Sequence, residues 1–190
     1  MRTFIAIELP QDIRTHLAGL QNELKKAGAD VKWVEEANIH ITLKFLGEVN
    51  DQQLAEVKKV LEGAAYASKQ FSMRVSSLGA FPKVSFPKVI WVGIDKGDAE
   101  TQHIVQDLED RLVRLGIPQE QRPFSSHITI GRTRSELNRV RLAQELDSLA
   151  GQLAGQTQEF NVTKITLFKS TLTPKGPLYE VIKEAPLKTP

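Results

Sequence analysis

Residues 38–48 (NIHITLKFLGE) and residues 122–132 (RPFSSHITIGR) share a core: His40-Ile41-Thr42-Leu43 in the first, His127-Ile128-Thr129-Ile130 in the second. β-Branched residues and period-two alternation mark both as strands. Successive side chains of a strand point to opposite faces, so His40 and Thr42 share one face while Ile41 and Leu43 pack on the other. His127 and Thr129 repeat the arrangement. A single His-Ile-Thr run has an ordinary structural reading, but these two copies hold two of the chain's 4 histidines. They predict two strands, each presenting an imidazole and a hydroxyl to a shared cleft.

Outward from the repeat, residues 2–9 read as a strand that ends at Pro10. Residues 11–27 switch to helical spacing, with Ile13, Leu17, Leu20 and Leu24 on one face and Gly28 as the stop. Residues 38–46 are a strand, and residues 51–63 a helix with Leu54, Val57 and Leu61 buried. Strands at 71–78 and 89–94 are separated by Gly79-Ala80-Phe81-Pro82 and Pro87, which predict a turn or an irregular connection. Asp98 caps a helix carrying Ile104, Val105, Leu108, Leu112 and Leu115 and closed by Gly116 and Pro118. A strand at 124–131, a helix at 137–149, and strands at 160–170 and 178–182 around Pro174-Lys175-Gly176-Pro177 complete the chain. This makes about eight strands and about four helices, with hairpin-like neighbours that favour α+β over a parallel α/β fold. No linker divides residues 1–190, and one domain with two lobes is expected.

The 190 residues have ordinary globular composition, and Lys+Arg 25 against Asp+Glu 23 leaves a formal net charge of +2. That balance excludes indiscriminate binding along a nucleic-acid backbone but leaves room for a local basic groove. Without cysteine there are no disulfides, thiolate nucleophiles or cysteine-held zinc or iron–sulfur sites. Residues 1–10 lack the length and small-residue cleavage site of a secretory leader. No apolar run approaches the roughly 20 residues that span a bilayer, and a cytoplasmic location is expected. P-loop, Gly-x-Gly-x-x-Gly and His-Glu-x-x-His motifs are absent, which removes support for Walker-type hydrolysis, dinucleotide redox chemistry and zincin proteolysis.

Two histidines suit an in-line displacement at phosphorus without a metal. A neutral imidazole takes the proton from water, and an imidazolium gives one to the departing oxygen. Both forms coexist near about pH 6.5. Thr42 and Thr129 can donate hydrogen bonds to the non-bridging phosphate oxygens. Neither motif offers a second His, Cys or carboxylate at ligand spacing, because Glu48 is off the His40 face by register. His16 and His103 lie within amphipathic helices without a repeated partner, and structural or solvent-facing roles are expected for them.

These residues resemble the 2H phosphoesterase superfamily, named for two such His-x-Thr-x motifs. Within it they resemble the bacterial and archaeal RNA 2′,3′-cyclic phosphodiesterases, historically called 2′-5′ RNA ligases. Residues 2–10 (RTFIAIELP) look like the family's opening strand, and Trp33-Val34 with residues 38–48 like its first motif region. Residues 122–132 look like its second, and residues 165–179, with Ser170, Leu172, Gly176 and Tyr179, like its C-terminal hairpin. The resemblance implies a two-lobed, pseudo-twofold α+β fold, with antiparallel β-sheets lining a central cleft and helices packed outside. It implies His40 as proton donor to the leaving 3′ oxygen and His127 as proton acceptor from water, opening a terminal RNA 2′,3′-cyclic phosphate to a 2′-phosphate, with 2′-5′ ligation as the reverse reaction. Thr42, Thr129 and Arg132 would hold the phosphate, with no metal and no cofactor. The partner would be RNA with a 2′,3′-cyclic phosphate terminus, tRNA fragments among the candidates, acted on by a monomer away from membranes. Ser126 stands where the family often has proline.

Lys44 shares strand parity with His40 and Thr42, which points it toward the RNA backbone. Trp33, Phe45, Phe81, Trp91 and Phe124 are the rings that could stack on a terminal base, although the parity of Phe45 with Ile41 and Leu43 directs it to the core. Loops at 79–88 and 118–122 are expected to border the cleft. Two other readings keep the cleft: a phosphodiesterase for small nucleotide cyclic phosphates or 2′-5′ linked oligonucleotides, and a noncatalytic RNA-end binding module.

Overall fold

A computed structural model describes residues 1–153, 156, 158–174 and 176–190. Its elements run β1 (Arg2–Glu8), α1 (Gln11–Lys25), β2 (Val31–Trp33), β3 (His40–Glu48), α2 (Asp51–Ala67), β4 (Phe71–Lys83) and β5 (Phe86–Lys96). They continue with α3 (Asp98–Leu112), β6 (His127–Thr133), α4 (Arg139–Leu153), β7 (Gln158–Val162), β8 (Lys164–Thr173) and β9 (Gly176–Pro186). Lys175, in the expected turn before β9, lies outside the described residues.

The strands form two antiparallel sheets, one ordered β3-β1-β8-β9 and the other β2-β6-β5-β4-β7. Each repeat has its own sheet: the first copy lies on β3 and the second on β6. The four-stranded sheet curls into a half-barrel, and Asn38 Nδ2, just before β3, donates to the Pro177 carbonyl on β9 at 3.0 Å, linking the two edge strands. β1 is buried on both sides. Ile5 and Ile7 join the main core, whereas Phe4 and Ala6 form a separate cluster with Phe168 on the concave face.

The helices cover the outer faces: α2 and α3 back the four-stranded sheet, and α1 and α4 back the five-stranded one. Each buries the stripe its spacing demands, as Ile13, Leu17, Leu20 and Leu24 do in α1. A capping box between Asn50 and Gln53 starts α2. This helix runs past Gly63, the expected stop, to Ala67. A side chain at Gly63 would meet the Arg111 guanidinium at 2.8 Å, so glycine serves close packing of α2 on α3 there.

Three local expectations are corrected. The strand expected at 160–170 is two strands in different sheets, broken at Thr163: Phe160 and Val162 bury in one lobe, Ile165 and Leu167 in the other. The turn or irregular connection expected at Gly79–Pro82 is instead part of β4, where Gly79 pairs with Trp91 and Ala80 with Ile90. Glycine is needed there because a Cβ at Gly79 would stand 2.5 Å from the Trp91 ring. A short strand, β2, also pairs with β6 through Trp33 and Gly131, too brief for alternation to mark it.

Candidate active site

Both repeat strands contain a β-bulge at the same place. In β3, Glu8 pairs with His40 and Ala6 with Thr42, after which Ile5 pairs with Lys44 and Phe4 with Phe45, so Leu43 is the extra residue. In β6, Gly93 pairs with His127 and Trp91 with Thr129, after which Ile90 pairs with Gly131 and Val89 with Arg132, so Ile130 is extra. A bulge inverts the parity of everything beyond it. Phe45 therefore shares a face with His40 and Thr42, and Arg132 shares one with His127 and Thr129. The two residues hold equivalent places, one aromatic and one cationic.

The first bulge overturns two parity expectations. Lys44 does not point to the cleft: it is buried on the opposite face, where its Nζ donates to both carboxylate oxygens of Glu109 and to the Pro118 carbonyl, each at 2.7 Å. Phe45 is not a core residue and is 65% exposed. Trp33 and Phe124 pack against the main core. Phe81 and Trp91 lie on the cleft face of the five-stranded sheet.

The two imidazoles are held alike. His40 Nδ1 lies 2.7 Å from the Asn38 carbonyl, and His127 Nδ1 lies 2.7 Å from the Ser125 carbonyl. A carbonyl only accepts, so each Nδ1 carries hydrogen, and in the neutral ring Nε2 keeps its lone pair. His40 Nε2 sits 2.9 Å from Thr42 Oγ1. Burial lowers the pKa of His40 below its ordinary value, partly opposed by the Asn38 carbonyl, which favours the charged ring. Aromatic neighbours fix both rings. Phe4 and Tyr179 lie 5.0 and 5.5 Å from His40, Tyr179 edge-on, and Phe81 meets His127 edge-on at 5.3 Å.

Tyr179, on β9, closes the cleft above Phe4, with ring centroids 4.9 Å apart. Its half-buried hydroxyl has a raised pKa because burial disfavours the phenolate, and the charges of Arg2 and Arg132 act against that rise. Arg2 comes from the four-stranded sheet and Arg132 from the five-stranded one, and the two sheets meet where β3 packs against β6. Near His40, Glu8 accepts from Thr166 Oγ1 at 2.8 Å and pairs with Lys164 Nζ at 3.0 Å.

The sequence reading gave no role to Arg2, Phe4, Asn38 or Tyr179. The alternation of residues 2–8 does place Arg2, Phe4, Ala6 and Glu8 on one face, but nothing in it says that this face lines a cleft. β1 ends at Glu8 and β9 begins at Gly176, so no short stretch of sequence contains the meeting of Phe4 and Tyr179. Among the described residues no three His, Asp or Glu side chains converge to hold a metal ion, and no helix is long and apolar enough to cross a membrane.

A family model described as LigT like Phosphoesterase matches residues 7–91 and again 92–179, one copy of the histidine motif in each half. The RNA 2′,3′-cyclic phosphodiesterase of Methanocaldococcus jannaschii is 35% identical over 184 residues, covering 97% of this chain and 99% of that protein. The protein of the same name from Thermotoga maritima is 32% identical, covering 97% and 94%. Among solved structures, TT0787 of Thermus thermophilus superposes with a TM-score of 0.80 at 24% identity, covering 100% of this chain and 99% of that one. Apo LigT of E. coli superposes with a TM-score of 0.75 at 24% identity, covering 98% and 97%. These two likenesses establish the fold.

Proposed function

The chain belongs to the LigT-like phosphoesterase family, and from that premise we propose that it hydrolyses the terminal 2′,3′-cyclic phosphodiester of an RNA to a 2′-phosphomonoester by two-histidine acid–base catalysis. Water attacks phosphorus and gives its proton to His127 Nε2. The bond from phosphorus to the 3′ oxygen breaks, and that oxygen takes a proton from His40. The product carries a 2′-phosphate and a free 3′ hydroxyl. The observation that carries this reading is the matched pair of carbonyl contacts at 2.7 Å, which holds both rings with Nε2 available for proton transfer.

The lowered pKa of His40 fits the donor role once substrate is counted. The anionic phosphate offsets the burial that keeps the ring neutral, so His40 gains its proton as substrate binds. Protonated Nε2 no longer accepts from Thr42, and the Thr42 hydroxyl is released to donate to a phosphate oxygen. Thr129 and Arg132, on the His127 face, supply the matching donors from the other sheet. Phe45, 65% exposed on the His40 face, and Phe81, 38% exposed against His127, offer flat faces to the terminal base.

The test is hydrolysis of a short RNA ending in a 2′,3′-cyclic phosphate, in EDTA, by the unsubstituted protein and by His40→Ala and His127→Ala. The expected result is a 2′-phosphate product formed in EDTA, with each variant slower by about 100-fold or more. Turnover that survives both substitutions would overturn the assignment.

A further inference from the structure

Arg2, by the alternation of β1, and Arg132, by its register beyond the β6 bulge, lie on the cleft faces of opposite sheets, and the reaction proposed above uses one of them. Arg132 stands on the His127 face. Arg2 stands at the other end of the β1 row that continues through Phe4 and Ala6 to Glu8, the residue opposite His40. Phe4 lies between Arg2 and the imidazole, covered by Tyr179 at 4.9 Å and in contact with His40 at 5.0 Å. Both arginines act on the Tyr179 hydroxyl. Arg74, Arg111 and Arg139 are engaged by carboxylates, of Asp95, Asp107 and Glu136 in turn. Among the described residues neither Arg2 nor Arg132 has such a partner.

The charge count on the substrate side matches. A cyclic phosphate is a monoanion, and Arg132 with protonated His40 answers it. An RNA end carries a second monoanion one nucleotide upstream, on the same flexible strand, and a nucleoside 2′,3′-cyclic phosphate does not. We propose that Arg2 is a specificity-determining residue that binds this upstream phosphodiester, so that the site acts on RNA chains in preference to the lone cyclic nucleotide. The Tyr179 hydroxyl, on the ring that packs against Phe4 and His40, can donate to a phosphate oxygen. The inference rests on the phosphodiesterase reading and adds to it the feature by which a chain is distinguished from a mononucleotide.

The experiment compares kcat/KM for two substrates with the same terminal nucleotide: a nucleoside 2′,3′-cyclic phosphate, and a dinucleotide carrying one internal phosphodiester and the same cyclic end. The proteins are the unsubstituted chain, Arg2→Gln and Arg2→Lys. Arg2→Gln is expected to lose about 10- to 100-fold on the dinucleotide, mainly through KM, and less than about 2-fold on the nucleoside substrate. Arg2→Lys is expected to recover part of the loss. The fall of log kcat/KM with log salt should be steeper for the dinucleotide by about 0.7, and the difference should vanish in Arg2→Gln. Equal losses on both substrates, or none on either, would overturn the assignment of Arg2 while leaving the phosphodiesterase reading intact. Turnover of neither substrate by the unsubstituted protein would overturn that reading and this inference together.

Discussion

Lys44 and Glu109 form a buried ion pair that ties the first histidine strand to helix α3, with Lys44 Nζ 2.7 Å from each carboxylate oxygen and the side chains 5% and 11% exposed. The Pro118 carbonyl also accepts from Lys44, so the same ammonium anchors the segment that leads to the second histidine strand. A buried charge left without its partner is costly. Lys44→Met and Glu109→Gln should each lower stability by about 3–5 kcal/mol, whereas Lys44→Met combined with Glu109→Leu should recover most of the loss. Urea unfolding of the four proteins measures this, and single substitutions costing under about 1 kcal/mol would show that the pair does not hold the strand.

The depressed pKa of His40 makes stability depend on pH in a stated direction. Burial lowers the pKa in the folded state below the ordinary 6.5, so between the lowered value and 6.5 the unfolded chain binds more protons than the folded one. Stability therefore rises with pH through that window and is flat above it as far as this group is concerned. Below the window the full cost of keeping His40 neutral, or of charging it in place, is present. Urea midpoints taken from about pH 5 to about pH 8 should climb and then level off. His40→Gln should flatten the climb, and an unchanged profile in that variant would assign the effect to other groups.

Much of this fold is written in local pattern. The α1 stripe, the alternation of β1 and the two His-x-Thr faces are each readable because their period is unbroken over the residues concerned. The bulges at Leu43 and Ile130 are not readable, since one extra residue in a strand changes parity without changing composition. That is why Lys44 and Phe45 exchange the faces their positions suggest, and why Arg132, odd in count from His127, still joins it. Tyr179 and Arg2 were illegible for a different reason. Their place in the site comes from the curl of the four-stranded sheet and the meeting of distant strands, which no short window of sequence contains.

Ser126 offers a stabilising change next to the site. Its side chain is buried, and among the described residues its hydroxyl has no hydrogen-bond partner. A buried unpaired polar atom costs about 1–3 kcal/mol. Ser126→Ala removes that atom without touching the Ser125 carbonyl that holds His127. The expected outcome is a melting temperature a few degrees higher, roughly 2–4 °C per kcal/mol at this chain length, with hydrolysis of the cyclic substrate unchanged. A lower melting temperature would mean that the hydroxyl is satisfied in solution.

Trp91 depends on the absence of a side chain across the hairpin. A Cβ at Gly79 would stand 2.5 Å from Trp91 Cζ2, and one at Gly93 would stand 3.1 Å from Cζ3, so the indole lies over both glycines. It also contacts Phe81 at 5.2 Å, and Phe81 in turn meets His127. Gly79→Ala must displace the ring, because the three nearest atoms that a Cβ there would meet all belong to the Trp91 indole. Overpacking of this kind costs about 1–3 kcal/mol, and the displaced stack should lower kcat/KM by loosening the Phe81 edge against His127. The cause is separable from a general intolerance of β4 to alanine. In a Trp91→Leu background the clash disappears, so Gly79→Ala should then cost less than about 0.5 kcal/mol. An equal cost in both backgrounds would show that backbone conformation at Gly79, and not room for the indole, requires the glycine.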